Sequence, residues 1–181
     1  MKPENKFRKW FLDNFRTYML AHYPTVKITV QKHADYATDG IADIDVSING
    51  MTMWLEVKLL TSCQEERKLH VTPLQRGYLE TRAKGGVPTG LLVGLALGPR
   101  KGYRVAVFIP PISEVVHRDM FRPMESVAER LYAMARQAAH TAHTAFLRAE
   151  SDRTGGIDFA GLDVCDDRPR TTDDDADEDG G

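Results

Sequence analysis

The chain has 181 residues, 42% of them apolar, enough for one domain with a packed core and an appendage. Its two cysteines, Cys63 and Cys165, are far apart and outside any ligand motif, which excludes a disulfide framework and gives no support to a zinc site. The net charge of −2 divides unevenly: residues 151–181 hold 11 acids against three arginines, a net −8, which leaves +6 on residues 1–150.

A basic body suits a polyanionic partner, although a surplus of this size is common and decides little by itself. No apolar run is long enough for a membrane span, and the N-terminal MKPENKFRKW is polar rather than signal-like. A soluble, cytoplasmic protein without a membrane partner is therefore expected.

In chain order, residues 4–21 place Phe7, Phe11, Phe15 and Tyr18 on one helical stripe, and Pro24 ends the helix. Strands are expected near 26–32, 41–48 and 51–59, the last two joined by Asn49-Gly50, a tight-hairpin signal. Thr72-Pro73 opens a second helix as N-cap and first-turn proline, and Gly85-Gly86 closes it. LLVGLAL and YRVAVFI read as two further strands, the second stopped by Pro110-Pro111. From Ile112 to Glu150 the spacing of Met124, Val127, Leu131, Met134, Ala138 and Ala142 predicts a long amphipathic helical segment, with a break near Pro123. The tail from Ser151 is rich in Gly, Asp and Thr without periodicity and is expected to be disordered.

The hairpin over residues 40–58, GIADIDVSINGMTMWLEVK, carries charges among β-formers. Side chains alternate across a strand, so Asp43 and Asp45 share one face, opposite Ala42, Ile44, Val46 and Ile48. On the partner strand Trp54, Glu56 and Lys58 point away from Met53, Leu55 and Val57. An ordinary half-solvated hairpin with a cross-strand ion pair is the plain alternative. The sharper reading is that two carboxylates and an ammonium converge. Two carboxylates beside a backbone carbonyl form an oxygen-rich site for Mg²⁺, with Mn²⁺ able to substitute. A metal there polarises a phosphate and acidifies water, and a nearby lysine offsets the negative charge that develops.

These residues resemble the PD-(D/E)XK nuclease superfamily, and look closest to its VRR-NUC and Holliday-junction-resolvase-like branch, many members of which are phage-type. Gly40-Ile-Ala-Asp43 matches the G-x-x-D of that branch, and Glu56-Val-Lys58 matches its E-x-K. His70-Val-Thr-Pro-Leu-Gln75-Arg, followed by Gly85-Gly86, resembles its glutamine-bearing helix. The likeness runs over residues 4–109 and ends there. It implies a restriction-endonuclease-like α/β core with a central mixed β-sheet flanked by helices over residues 1–111. A helical extension (112–150) and the acidic tail (151–181) would follow.

The implied activity is metal-dependent DNA endonuclease chemistry, structure-selective on branched DNA if the junction-resolvase likeness extends so far. Asp43, Glu56 and the Val57 carbonyl would hold the metal, Lys58 would position or activate water, and Gln75 and Glu4 would complete the site. The family usually has an acid on its first helix, and Glu4, on the stripe of Phe7 and Phe11, fits better than Asp13 on the opposite side. Asp45 rivals Asp43, or simply flanks the site. Lys6, Lys9, Arg67, Lys68, His70 and Arg76 are candidate DNA contacts, as are Lys2, Arg8, Arg82 and Lys84. Paired active sites suit a homodimer making paired cuts, against a monomeric nickase or a general duplex endonuclease. Two other classes stay open: a catalytically inactive nucleic-acid-binding module, and an adaptor that engages a protein partner through its C-terminal helix or acidic tail. His140 and His143, one helical turn apart, lack the carboxylates a metal pair would need.

Overall fold

A computed structural model of the chain describes residues 2–33, 42–62, 65–98 and 101–154. Gly40 and Ile41 of the G-x-x-D match, both cysteines and residues 155–181 of the acidic tail lie outside the described residues, whereas 151–154, expected to begin the disordered tail, continue the last helix. Two units are distinguished, Met1–Ala145 and Phe146–Gly181. The described part of the second is the last stretch of one helix.

The first unit begins with helix α1 (Pro3–His22), followed by strands β1 (Ile28–Lys32), β2 (Ile44–Ile48), β3 (Met51–Leu60) and β4 (Glu66–Lys68). Helix α2 (Pro73–Lys84), strands β5 (Thr89–Ala96), β6 (Tyr103–Phe108) and β7 (Val115–His117), a 3₁₀ turn (Arg118–Met120) and helix α3 (Met124–Thr154) complete the order. Five strands form the central sheet in the order β1-β2-β3-β5-β6, and β4 and β7 pair separately. Only β3 and β5 run parallel; the other neighbours are antiparallel, so the sheet is mixed. This is the α/β core expected from the sequence: a central mixed sheet between helices, with a C-terminal helix.

Local chemistry explains the elements. Asn49 and Gly50 both have positive φ (50° and 84°), the two-residue turn that matches the right-handed twist of paired strands. It sets the register Ile48–Met51, and with it every pair up to Ile44–Leu55. At α2 the Thr72 side chain accepts from the Gln75 N–H, while the Gln75 side chain accepts from the Thr72 N–H at 3.1 Å, a reciprocal cap that fixes the helix start.

Each face of the sheet has its own core. Phe7, Phe11 and Phe15 of α1 pack with Ile44, Val46, Leu55, Val57 and Leu92 on one face, joined there by Met124, Val127, Ala128, Leu131 and Ala135 of α3. Each fully buried phenylalanine contributes about 1.5–3 kcal/mol. The other face holds Leu79 of α2, Leu91, Val93 and Leu95 of β5, and Ile112, Val116 and Phe121. Strand β5 is buried on both faces, as the central parallel partner should be.

Two expectations need correction. Residues 112–123, expected to begin the helical extension, are not α-helical: they contain β7 and the 3₁₀ turn, and the helix starts at Met124 after Pro123. Ile112, Val115, Val116 and Met120 mimic helical spacing, but Arg67–Val116 pairing across β4 and β7 prevails. The first turns of α3 form a layer of the main core rather than an appendage.

Close packing of α1 on β5 gives a direct test. A Cβ on Gly94 would lie 2.6 Å from the Phe7 ring, which is itself fully buried. Gly94→Ala is expected to destabilise the fold by about 1–3 kcal/mol through overpacking, read as a lowered urea midpoint with unchanged m-value.

Candidate active site

The hairpin register places the charged residues together. With Ile44 opposite Leu55, the next position brings Asp43 beside Glu56, at the end of β2, beyond which β3 runs on toward Leu60 paired with β5. Strand β1 closes the other side, its pairing running on to His33, whose N–H donates to the Asp43 carbonyl at 2.9 Å. Parallel pairing of Glu56 with Leu91 and Lys58 with Val93 puts both on the α2 face of the sheet.

Glu56 is 3% exposed, and its Oε1 takes two donors: the Lys58 ammonium at 3.0 Å and the Gln75 amide. Gln75 is held in turn by its cap to Thr72, so α2 presents the amide to Glu56 in a fixed orientation. Asp43 accepts from the Val57 N–H through Oδ2 at 2.9 Å, and Arg8 of α1 lies 3.6 Å from its Oδ1. The Oε2 of Glu56 and the Oδ1 of Asp43 accept no hydrogen bond among the described residues.

Electrostatics bind these groups into one cluster. The Glu56 carboxyl is pushed up to about 7, first by burial and then by Asp43, while Lys58 opposes the shift and Glu4 adds to it. The Glu4 carboxyl is also raised, first by partial desolvation; Lys58 opposes, Asp43 reinforces, and Arg8 and Lys2 oppose. Glu4 is an exposed residue at the start of α1, yet its carboxyl shares the field of Asp43 and Lys58. Asp13 is engaged elsewhere, with Lys9 at 2.6 Å on the solvent side of the helix. Glu4→Ala is therefore expected to lower activity more than Asp13→Ala, as initial rates on a common substrate would show; a larger loss for Asp13 would reverse the choice.

Asp45 is buried and binds the His33 Nε2 at 2.9 Å, and the His33 ring stacks on Trp54 with centroids 5.0 Å apart. Arg82 of α2 lies over both Trp54 and Tyr78. The sequence reading missed His33: its proximity depends on the β1–β2 register, which no local pattern encodes. Arg8, a candidate phosphate contact, lies beside Asp43.

The candidate DNA contacts are dispersed. Lys6, Arg67 and His70 are exposed; Lys9 is paired with Asp13; Lys68 and Arg76 both reach Glu114. Among the described residues no three His, Cys, Asp or Glu side chains group as metal ligands. The anionic donors for a cation are thus the pair Asp43 and Glu56. That pair suits a hard divalent ion: each has an oxygen that accepts no hydrogen bond among the described residues, and their mutual repulsion is what a bound cation would relieve.

Fold and site together define an α/β protein with an acid–acid–lysine cluster at the open end of a hairpin. No protein-family model matches the chain, and no curated protein matches it. Among solved structures, Hjc, a Holliday junction resolvase from the archaeal hyperthermophile Archaeoglobus fulgidus, is similar at 17% sequence identity and a TM-score of 0.45, over 71% of this chain and 97% of that one. At that distance no residue role is carried over, and the phage-type assignment gains no support. Among the described residues no helix is long and apolar enough to cross a membrane.

Proposed function

We propose that this protein is a metal-dependent nuclease hydrolysing DNA phosphodiester bonds, with branched DNA as its preferred substrate. The observation that carries the reading is the convergence of Asp43, Glu56, Lys58 and Gln75, from three separate elements, around one buried carboxylate. A structural ion pair would need only Glu56 and Lys58. The coupled second carboxylate and the fixed amide are what a phosphoryl-transfer site adds.

In this reading Asp43, Glu56 and the Val57 carbonyl would hold Mg²⁺ or Mn²⁺. When bound, such an ion would supply Lewis acidity toward the phosphate and lower the pKa of attacking water. Lys58 places a positive charge beside Glu56, where it steadies the negative charge growing on the phosphoryl oxygens and orients the water. Gln75 keeps the Glu56 carboxylate from rotating, because its own amide is tied to Thr72. Glu4 adds a third acid to the same field, and Arg8 balances Asp43. A homodimer would present two such sites to the two strands that a junction cut requires.

Titrating Mg²⁺ into metal-free protein while following thermal unfolding tests the metal site without relying on turnover. A rise in melting temperature for wild type that Asp43→Asn abolishes is expected; equal response of the two proteins would remove Asp43 from the metal site.

A further inference from the structure

Beyond the carboxylate cluster, the α2 face of the sheet opens into a cleft of about 670 Å³ at the far ends of β3 and β5. Thr61 and Ser62, which follow β3, line it together with Lys101, Arg104 and Arg118. Among the described residues no carboxylate lines it. None of the three cations has an ion-pair partner among the described residues, in contrast to Lys9, Lys68 and Arg76. Three unneutralised cations and two hydroxyls around one cleft are the chemistry of an anion site rather than of a solvated face.

Its position gives the anion an identity. Side chains of Glu56, Lys58 and Leu60 share one face, and Leu60 pairs with Leu95, which pairs with Arg104. The cleft therefore continues the row that begins with Glu56 and Lys58. Three residues at about 3.3 Å each put Thr61 roughly 10 Å beyond Lys58. A strand rises about 3.4 Å per nucleotide along the helix axis and covers more than that along its own path, so the distance is at most about three nucleotides.

We infer that this cleft grips the phosphates of the DNA strand that passes through the active site, within about three nucleotides of the scissile bond, with Lys101, Arg104 and Arg118 as contacts and Thr61 and Ser62 as hydrogen-bond donors. None of these five residues was singled out in the sequence, and the site differs from the dispersed cations that were. The inference rests on the nuclease reading for its substrate, and it assigns that substrate's register. Arg118 is well placed to hold the cleft's shape, since its N–H donates to the Glu65 carbonyl at 3.0 Å and so ties the 3₁₀ turn to the chain just beyond β3.

The test uses the full chain and a labelled duplex of random sequence, with EDTA present so that nothing is cut. Binding is measured across a salt series for wild type, for the triple variant Lys101→Ala, Arg104→Ala, Arg118→Ala, and for a charge-matched control, Lys27→Ala, Arg130→Ala, Arg148→Ala. Each lost phosphate contact lowers the slope of log affinity against log salt by about 0.9, so the cleft variant should lose roughly 2 to 3 from the slope and on the order of 100-fold in affinity at low salt. The control should lose less than a third of that slope change. Equal slopes for the two variants overturn the cleft, as does a wild type that fails to bind. A slope lost only in the cleft variant upholds it even if wild type then proves unable to cut with Mg²⁺, an outcome that would sink the nuclease reading alone. Conversely, a wild type that cuts while the cleft variant binds normally rejects the cleft and leaves the nuclease intact. Thermal melts of both variants show whether the fold is retained.

Discussion

Glu56→Gln is expected to abolish cleavage and, at the same time, to make the protein more stable at pH 8. The two effects come from one cause. Burial and Asp43 push the Glu56 carboxyl up to about 7, against an ordinary value of 4.5. The folded state therefore holds this proton more tightly than the unfolded state does, and stability falls as pH rises from about 4.5 to about 7, then levels off. A shift of that size corresponds to a ceiling of about 3 kcal/mol. Glutamine keeps an acceptor for Gln75 and carries no charge, although Lys58 loses its ion-pair partner. A net gain on the order of 1–3 kcal/mol at pH 8, several degrees in melting temperature, is expected. The gain should vanish near pH 4, where Glu56 is protonated in both states. Saturating Mg²⁺ should narrow the gap by stabilising wild type alone. Thermal melts of both proteins at pH 4 and pH 8, with and without Mg²⁺, check each part; a variant less stable than wild type at pH 8 would show that Glu56 is not a strained carboxylate.

Lys58→Ala is expected to lower the cleavage rate by at least roughly 10²–10³-fold, the usual loss when one well-placed stabilising group is removed from a charged transition state. Both carboxylates proposed to hold the metal remain, so any strengthening of DNA binding by Mg²⁺ should persist. Lys58 is also the group that most lowers the Glu56 pKa, through its charge and its hydrogen bond. Without it Glu56 moves further above 7, and the Mg²⁺ dependence of binding in the variant should need a higher pH. Single-turnover cleavage and binding at pH 7 and pH 8.5 separate these effects. Wild-type cleavage by the purified variant would show that the site is misassigned.

The parts of this arrangement that were legible in the sequence are those written in local patterns. The Phe7–Phe11–Phe15 stripe, the Asn49-Gly50 turn and the Thr72-Pro73 start fix their own elements within a few residues. Once the turn is known, alternation alone puts Asp43, Glu56 and Lys58 on one face. What stayed hidden depends on contacts between distant segments. Strand β4 is Glu66-Arg67-Lys68, three exposed charged residues with no apolar alternation, and it becomes a strand only because β7, 49 residues later, pairs with it. The same pairing overrode the helical spacing of Ile112 to Met120. The buried His33–Asp45 pair depends on the register of β1, and the cleft depends on four segments that meet only in the folded sheet. Gln75 was legible as a residue of interest, but its double engagement, capping α2 and bracing Glu56, appears only when α2 is laid on the sheet.

The most direct test of the central claim is to incubate wild-type protein with labelled four-way junction, flap, single-stranded and linear duplex DNA, in Mg²⁺ and in EDTA, and to resolve the products on a denaturing gel. The account predicts cleavage that requires the metal and is strongest on the branched substrates. Intact DNA in every Mg²⁺ and Mn²⁺ reaction, or equal cutting in EDTA, would contradict it.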